Sequence, residues 1–163
     1  MKRFALKVLL LSVLPLCLWG QEVSEKEPFQ ILTSNGLALD NHGDDNNNSR
    51  LFVERADKKA LSQVWILGKH SDGSRAINSP LTQKSVDNAG AAAGTHKEVL
   101  QWDITLDHRN EQWVMTRLPN GLYTFTSKTS GDNLGFSQTP QAGMKVAQFA
   151  PNPDDPNQQW KLV

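Results

Sequence analysis

Cysteine is nearly absent. The single copy, Cys17, falls within the first twenty residues, so everything after them is free of thiols. This excludes a disulfide framework, and a domain of about 140 residues must hold itself by its core alone, which that length allows. An excess of either charge is missing too. Seventeen basic and seventeen acidic residues balance, which gives no electrostatic case for nucleic acid as a partner. Helical periodicity is missing: beyond residue 20 no stretch keeps apolar residues at helical spacing. Catalytic signatures are missing as well. There is no Gly-x-Ser-x-Gly, no His-Glu-x-x-His and no phosphate-cradling glycine loop. Nothing in the sequence pairs two carboxylates for glycoside hydrolysis. The chain reads as non-catalytic, with no cofactor. His42, His70, His96 and His108 are scattered, with no pair at metal-ligand spacing, so no metal is expected.

The longest apolar run is at the start. Lys2, Arg3 and Lys7 form a basic head, Val8 to Trp19 is almost wholly apolar, and Gly20 precedes polar Gln21-Glu22. That three-part pattern is a secretory signal peptide, too short to span a membrane with typical flanks. Cleavage is expected near Gly20/Gln21. Pro15-Leu16 fits badly before a lipidated cysteine, so no lipid anchor is expected at Cys17. The mature chain would carry 14 basic and 17 acidic residues, a net charge of −3. It would have no membrane span and would be secreted, periplasmic or at the cell surface. Residues 21–28 are polar and read as a short flexible lead.

What is present is a repeat. Gln63-Val64-Trp65, Glu111-Gln112-Trp113 and Gln158-Gln159-Trp160 place tryptophans 48 and then 47 residues apart. A period this regular marks an internal repeat. Each unit reads as four short strands. The first has a run from Phe29 to Thr33, the turn Asn35-Gly36, Leu37 to Leu39, a polar loop 40–50, Leu51 to Val53, and a closing strand Ser62 to Leu67. The second runs Arg75 to Asn78, Ser85 to Asp87, Val99 to Trp102 and Gln112 to Thr116. The third runs Leu122 to Thr126, Asn133 to Phe136, Lys145 to Phe149 and Gln158 to Val163, with Pro151, Pro153 and Pro156 barring pairing before the last. Three units of four give about twelve strands, the arithmetic of an all-β barrel or trefoil. Residues two apart on a strand share a face, which puts Gln and Trp of each motif together. Three tryptophans would then meet near a pseudo-threefold axis, and each Gln amide would pin a neighbouring loop.

These motifs resemble the ricin-type β-trefoil, the R-type lectin module. Asn157-Gln158-Gln159-Trp160 matches its Asn-Gln-x-Trp signature in full, with Ser62-Gln63-Val64-Trp65 and Asn110-Glu111-Gln112-Trp113 as variants. The resemblance covers residues 29–163 and implies an all-β fold of three repeats of about 47 residues with pseudo-threefold symmetry. It makes Gln63, Trp65, Trp113, Gln158 and Trp160 structural core.

The resemblance also implies a glycan or polysaccharide ligand. In such modules a sugar is held by an Asp after the second strand, an aromatic platform and an Asn beside the Gln-x-Trp. A carboxylate can take two vicinal hydroxyls, an indole face covers the apolar side of a pyranose, and an amide donates and accepts. The second unit carries the whole set: Asp87, Trp102 and Asn110. It departs from the pattern at Leu100, where Gln is common, and at Glu111, which replaces the motif Gln and would have to accept from backbone donors. The first unit keeps Asp40 but has Glu54 at the aromatic place and Ser62 at the Asn place. The third keeps Phe149 and Asn157 but has Gly135 at the Asp place, with Asn133 or Asp132 as stand-ins. Asp40 and Asp87 can equally cap turns, and Asn110 and Asn157 can cap the closing loop. Trp102 lacks a counterpart in the other two units, which sets it apart from a core requirement.

Two other functions stay open: a β-trefoil protease inhibitor acting through loops 40–50 and 87–96, and an accessory or scaffold domain whose sugar sites have decayed. The acidic loop from Asp40 to Asp45 lacks the downstream bidentate Glu of a calcium loop and reads as a solvated turn. Asn47-Asn48-Ser49 is a glycosylation sequon.

Overall fold

The computed structural model describes residues 27–106 and 108–163. The expected leader, 1–20, and most of the lead, 21–28, lie outside the described residues. The rest is built of thirteen strands and four 3-10 turns, with no α-helix among the described residues. The first unit holds β1 (Ile31–Thr33), β2 (Leu37–Asp40), β3 (Phe52–Arg55) and β4 (Ile66–Lys69). The second holds β5 (Arg75–Ser79), β6 (Lys84–Asn88), β7 (Lys97–Asp103) and β8 (Trp113–Arg117). The third holds β9 (Tyr123–Ser127), β10 (Asn133–Gly135), β11 (Met144–Lys145), β12 (Ala147–Phe149) and β13 (Trp160–Leu162). The thirteenth strand arises because the run 145–149 is split at Val146, whose N–H donates to Leu51 O at 3.0 Å.

The opening and closing strands make a barrel. Each closing strand pairs with the opening strand of the next unit: β4 with β5, β8 with β9, and β13 with β1. The last of these joins the two ends of the fold. The closing strand also meets the opening strand of its own unit, at Phe29–Trp65, Arg75–Trp113 and Tyr123–Trp160. The inner strands form three hairpins, β2–β3, β6–β7 and β10–β12. Six barrel strands with three hairpins about a pseudo-threefold axis make a β-trefoil.

The core repeats in threes. Ile31, Ile77 and Phe125 occupy matching places on the opening strands; Leu39, Val86 and Leu134 on the second strands; Leu51, Val99 and Val146 at the third. All nine are fully buried, as are Trp65, Trp113 and Trp160. Each indole N–H donates to a carbonyl of the second strand in its own unit: Leu39 O at 3.0 Å, Val86 O at 2.9 Å and Leu134 O at 3.0 Å. Burying each indole satisfies its one polar atom, so the large apolar area is gained without an unpaired donor.

The Gln of each motif is not on a strand. It ends a 3-10 turn, Leu61–Gln63, Arg109–Glu111 or Pro156–Gln158, and the strand begins only at or after the Trp. The expected shared strand face therefore does not exist. The chain must turn here to reach the barrel from the preceding loop, and a 3-10 turn does so in three residues. The amide still pins a loop. Gln63 donates to Arg55 O at 3.0 Å and accepts from Asp57 N at 2.9 Å. Gln158 donates to Ala150 O at 3.0 Å and accepts from Asn152 N at 2.9 Å.

Buried amides also tie the units together. Asn41 donates to Ser79 and Thr82, and Gln101 accepts from Thr82 and donates to Asp44 O. One unit further on, Asn88 donates to Ser127, and Gln148 donates to Asn88 and accepts from Ser130. At the third junction the matching places are apolar, Phe136 and Val53.

Candidate functional site

The three units offer three equivalent sites, fixed by the indole bonds above. The residue after each indole acceptor is Asp40, Asp87 or Gly135. The carbonyl that takes the Gln amide fixes the aromatic place, one residue earlier, as Glu54, Trp102 or Phe149.

In the first unit the site is filled from within. Asp40 Oδ1 accepts from His42 N at 2.6 Å and Oδ2 accepts from Gln63 Nε2 at 2.9 Å. The His42 ring stacks on Phe52, centroids 4.4 Å apart and 12° from parallel, and its Nε2 lies 3.2 Å from Glu54. Asp40 therefore caps its own turn. Loop 40–50 is tied down as well. Asn47 exchanges two bonds with Asp103, donating to Oδ2 at 2.8 Å and accepting from the N–H at 2.9 Å, so the sequon amide is already engaged.

In the third unit the site is closed. A Cβ at Gly135 would meet Asn157 O at 2.7 Å and Gln158 Cγ at 3.0 Å. Glycine is there because the closing turn rests on it, and no carboxylate fits. Of the two stand-ins, Asp132 accepts from Gly94 N at 2.7 Å and Asn133 donates to Gln158 at 2.9 Å. Phe149 is buried beneath His96, ring centroids 5.0 Å apart, and does not form an open platform. Asn157 donates its N–H to Asp155 Oδ1 at 2.9 Å, as a turn residue does.

The second unit differs. In the β6–β7 hairpin Asp87 faces Leu100 and Ser85 faces Trp102, so Asp87, Leu100 and Trp102 share the face opposite the core residues Val86 and Val99. Trp102 is half-buried, against the fully buried motif tryptophans. The turn Arg109–Glu111 packs beside β6. It carries half-buried Asn110, whose amide oxygen takes one long bond from Thr129 at 3.5 Å.

Glu111 does accept from backbone: Thr105 N lies 3.3 Å and 3.2 Å from its two oxygens. A carboxylate cannot make the donations that Gln63 makes. One is replaced, because the Thr105 hydroxyl donates to Asp103 O at 3.1 Å, where the first and third units use the Gln amide. The other is lost. Asp87 Oδ2 is buried and has no hydrogen-bond donor. His108 Nδ1 stands 3.6 Å from it and 3.4 Å from Glu111 Oε1. Burial pushes the Glu111 carboxyl up from 4.5 to about 7 and also raises Asp87, against the opposing pull of His108.

No protein-family model matches this chain, and no curated protein matches it. Solved structures do. The chain is similar to ThreeFoil, a designed threefold-symmetric protein, at 23% identity and a TM-score of 0.78, over 83% of this chain and 97% of that one. It is similar to the Polyporus squamosus lectin, solved bound to the epitope Neu5Acα2-6Galβ1-4GlcNAc, at 15% identity and a TM-score of 0.72, over 86% of this chain. It is also similar to 1,3Gal43A, an exo-β-1,3-galactanase from Clostridium thermocellum, at 22% identity and a TM-score of 0.76, over 83% of this chain. The match spans 50% of that lectin and 30% of that galactanase. At these identities the likeness is one of fold.

Reading the linear sequence missed His108. It sits at the place of Ala60 and Asp155, just before the 3-10 turn. The signal was available: His for Ala or Asp and Glu for Gln fall within four residues of one unit and nowhere else in the repeat. Asn41, Asn88, Gln101 and Gln148 were also missed, because a buried polar tie has no periodicity to betray it.

Proposed function

We propose that this chain is a secreted, non-catalytic carbohydrate-binding protein of the R-type lectin kind, with one competent site in the second unit. Asp87 supplies the carboxylate, Trp102 the stacking face and Asn110 the amide. The observation that carries the reading is the asymmetry among equivalent places. The first site is filled by His42, the third is closed over Gly135, and only the second joins a carboxylate to a half-exposed indole. Apolar C–H faces of a sugar ring fit an indole, and its hydroxyls fit a carboxylate and an amide.

The test is a glycan array followed by titration of any hit. Trp102→Ala should lower affinity about tenfold or more while Tm moves by only a few degrees, and Trp102→Phe should retain part of the binding. Full binding by Trp102→Ala would sink this site. The leader reading is checked by the N-terminal residue of exported protein, expected at or near Gln21.

The filled first site and the closed third site also favour a second reading, an accessory domain whose sugar sites have decayed. It predicts an array with no signal for the parent chain.

A further inference from the structure

We infer that Asp87, Glu111 and His108 form a binding site for a divalent transition-metal ion of the Zn2+ type, held by two carboxylate oxygens and one imidazole nitrogen. One ligand atom from each side chain lies within 4.8 Å of the other two. Ligands 2.0–2.1 Å from a tetrahedral ion stand about 3.3–3.4 Å apart. The separations from His108 Nδ1, 3.4 Å to Glu111 and 3.6 Å to Asp87, are close to that edge. Mixed imidazole and carboxylate donors suit zinc and its neighbours, whereas calcium takes about six to eight oxygens.

The independent observation is at Asp87, whose Oδ2 accepts no hydrogen bond and has His108 Nδ1 3.6 Å away. Asp87 is 5% exposed, and that oxygen is buried. In the first unit the matching oxygen is satisfied by the Gln63 amide. Here the Gln has become Glu111, which brings a second buried carboxylate to the oxygen that has lost its donor. A cation answers both groups at once, and His108, half-exposed, gives it a route from solvent. The other units cannot hold the ion: they offer Asp40, Ala60 and Gln63, or Gly135, Asp155 and Gln158. The sequence changes that create the set therefore occur together in one unit only.

Metal binding is read without sugar, so its failure and that of the glycan reading are distinguishable. The experiment is equilibrium dialysis of the untagged exported chain, without the leader and its Cys17 thiol, against Zn2+, with metal content by elemental analysis and the shift of Tm alongside. One bound equivalent and a raised Tm are expected. Glu111→Gln should lose that equivalent, with affinity down by more than about 100-fold, and it restores the residue the other units fold with. His108→Ala should lose it too, with an alanine the first unit already tolerates at that place. His96→Ala should bind as the parent does. A parent chain that takes up no Zn2+, or a Glu111→Gln chain that binds as tightly as the parent, overturns the site.

Discussion

Single residues set how the three equivalent places differ. Gly135 is the clearest case, since a Cβ there would stand 2.7 Å from Asn157 O. Gly135→Ala should cost about 2 kcal/mol, seen as a lower midpoint in urea. Glu111 is the opposite case, a residue that costs stability where it stands. Its neighbours are the Asp87 carboxylate, raised in the same direction, and the His108 ring, which pulls both down. Since the folded chain raises the Glu111 carboxyl from 4.5 to about 7, it holds that proton more tightly than the unfolded chain. The resulting stability is complete below pH 4.5 and is lost as the pH rises through 7. In chelator-treated buffer Glu111→Gln should therefore be more stable than the parent at pH 8, by about 1–3 kcal/mol. That gap should shrink as the pH falls toward 4.5, a trend thermal melts across this range would follow.

At the scale of elements, the 3-10 turn before each motif tryptophan ties a loop to the barrel. The tie is chemical, so it can be moved. Gln63→Glu would put a second carboxylate beside Asp40 and remove the donations to Arg55 O and Asp40 Oδ2. No threonine hydroxyl stands by to compensate, because Asp57 occupies the place of Thr105. This variant should lose about 2–4 kcal/mol at neutral pH, with early hydrogen exchange at Asp57. Glu111→Gln should show the reverse. The β6–β7 hairpin supplies the other elemental fact. Its register sets Trp102 diagonal to Asp87 on one face.

The whole molecule is held by one core shared among three units. Trp65, Trp113 and Trp160 are each fully buried and bonded to the second strand of their unit. Replacing any one by alanine should cost about 3–5 kcal/mol. The loss should appear as a single shifted transition by both circular dichroism and fluorescence, because no unit buries its apolar face alone. The sequence by itself determined the number of units, the order and approximate places of the strands, the buried tryptophans and the place of the aspartates. These follow from spacing and alternation, which a chain carries along its length. The Gln positions were legible but their conformation was not: the reach of an amide across a loop depends on a turn that alternation cannot show. Only the tertiary structure decided that His42 fills the first site, that a turn closes over Gly135, and that His108 meets Asp87 across twenty intervening residues. Which side chain fills a cavity is set by packing between segments distant in sequence, and no local pattern encodes it.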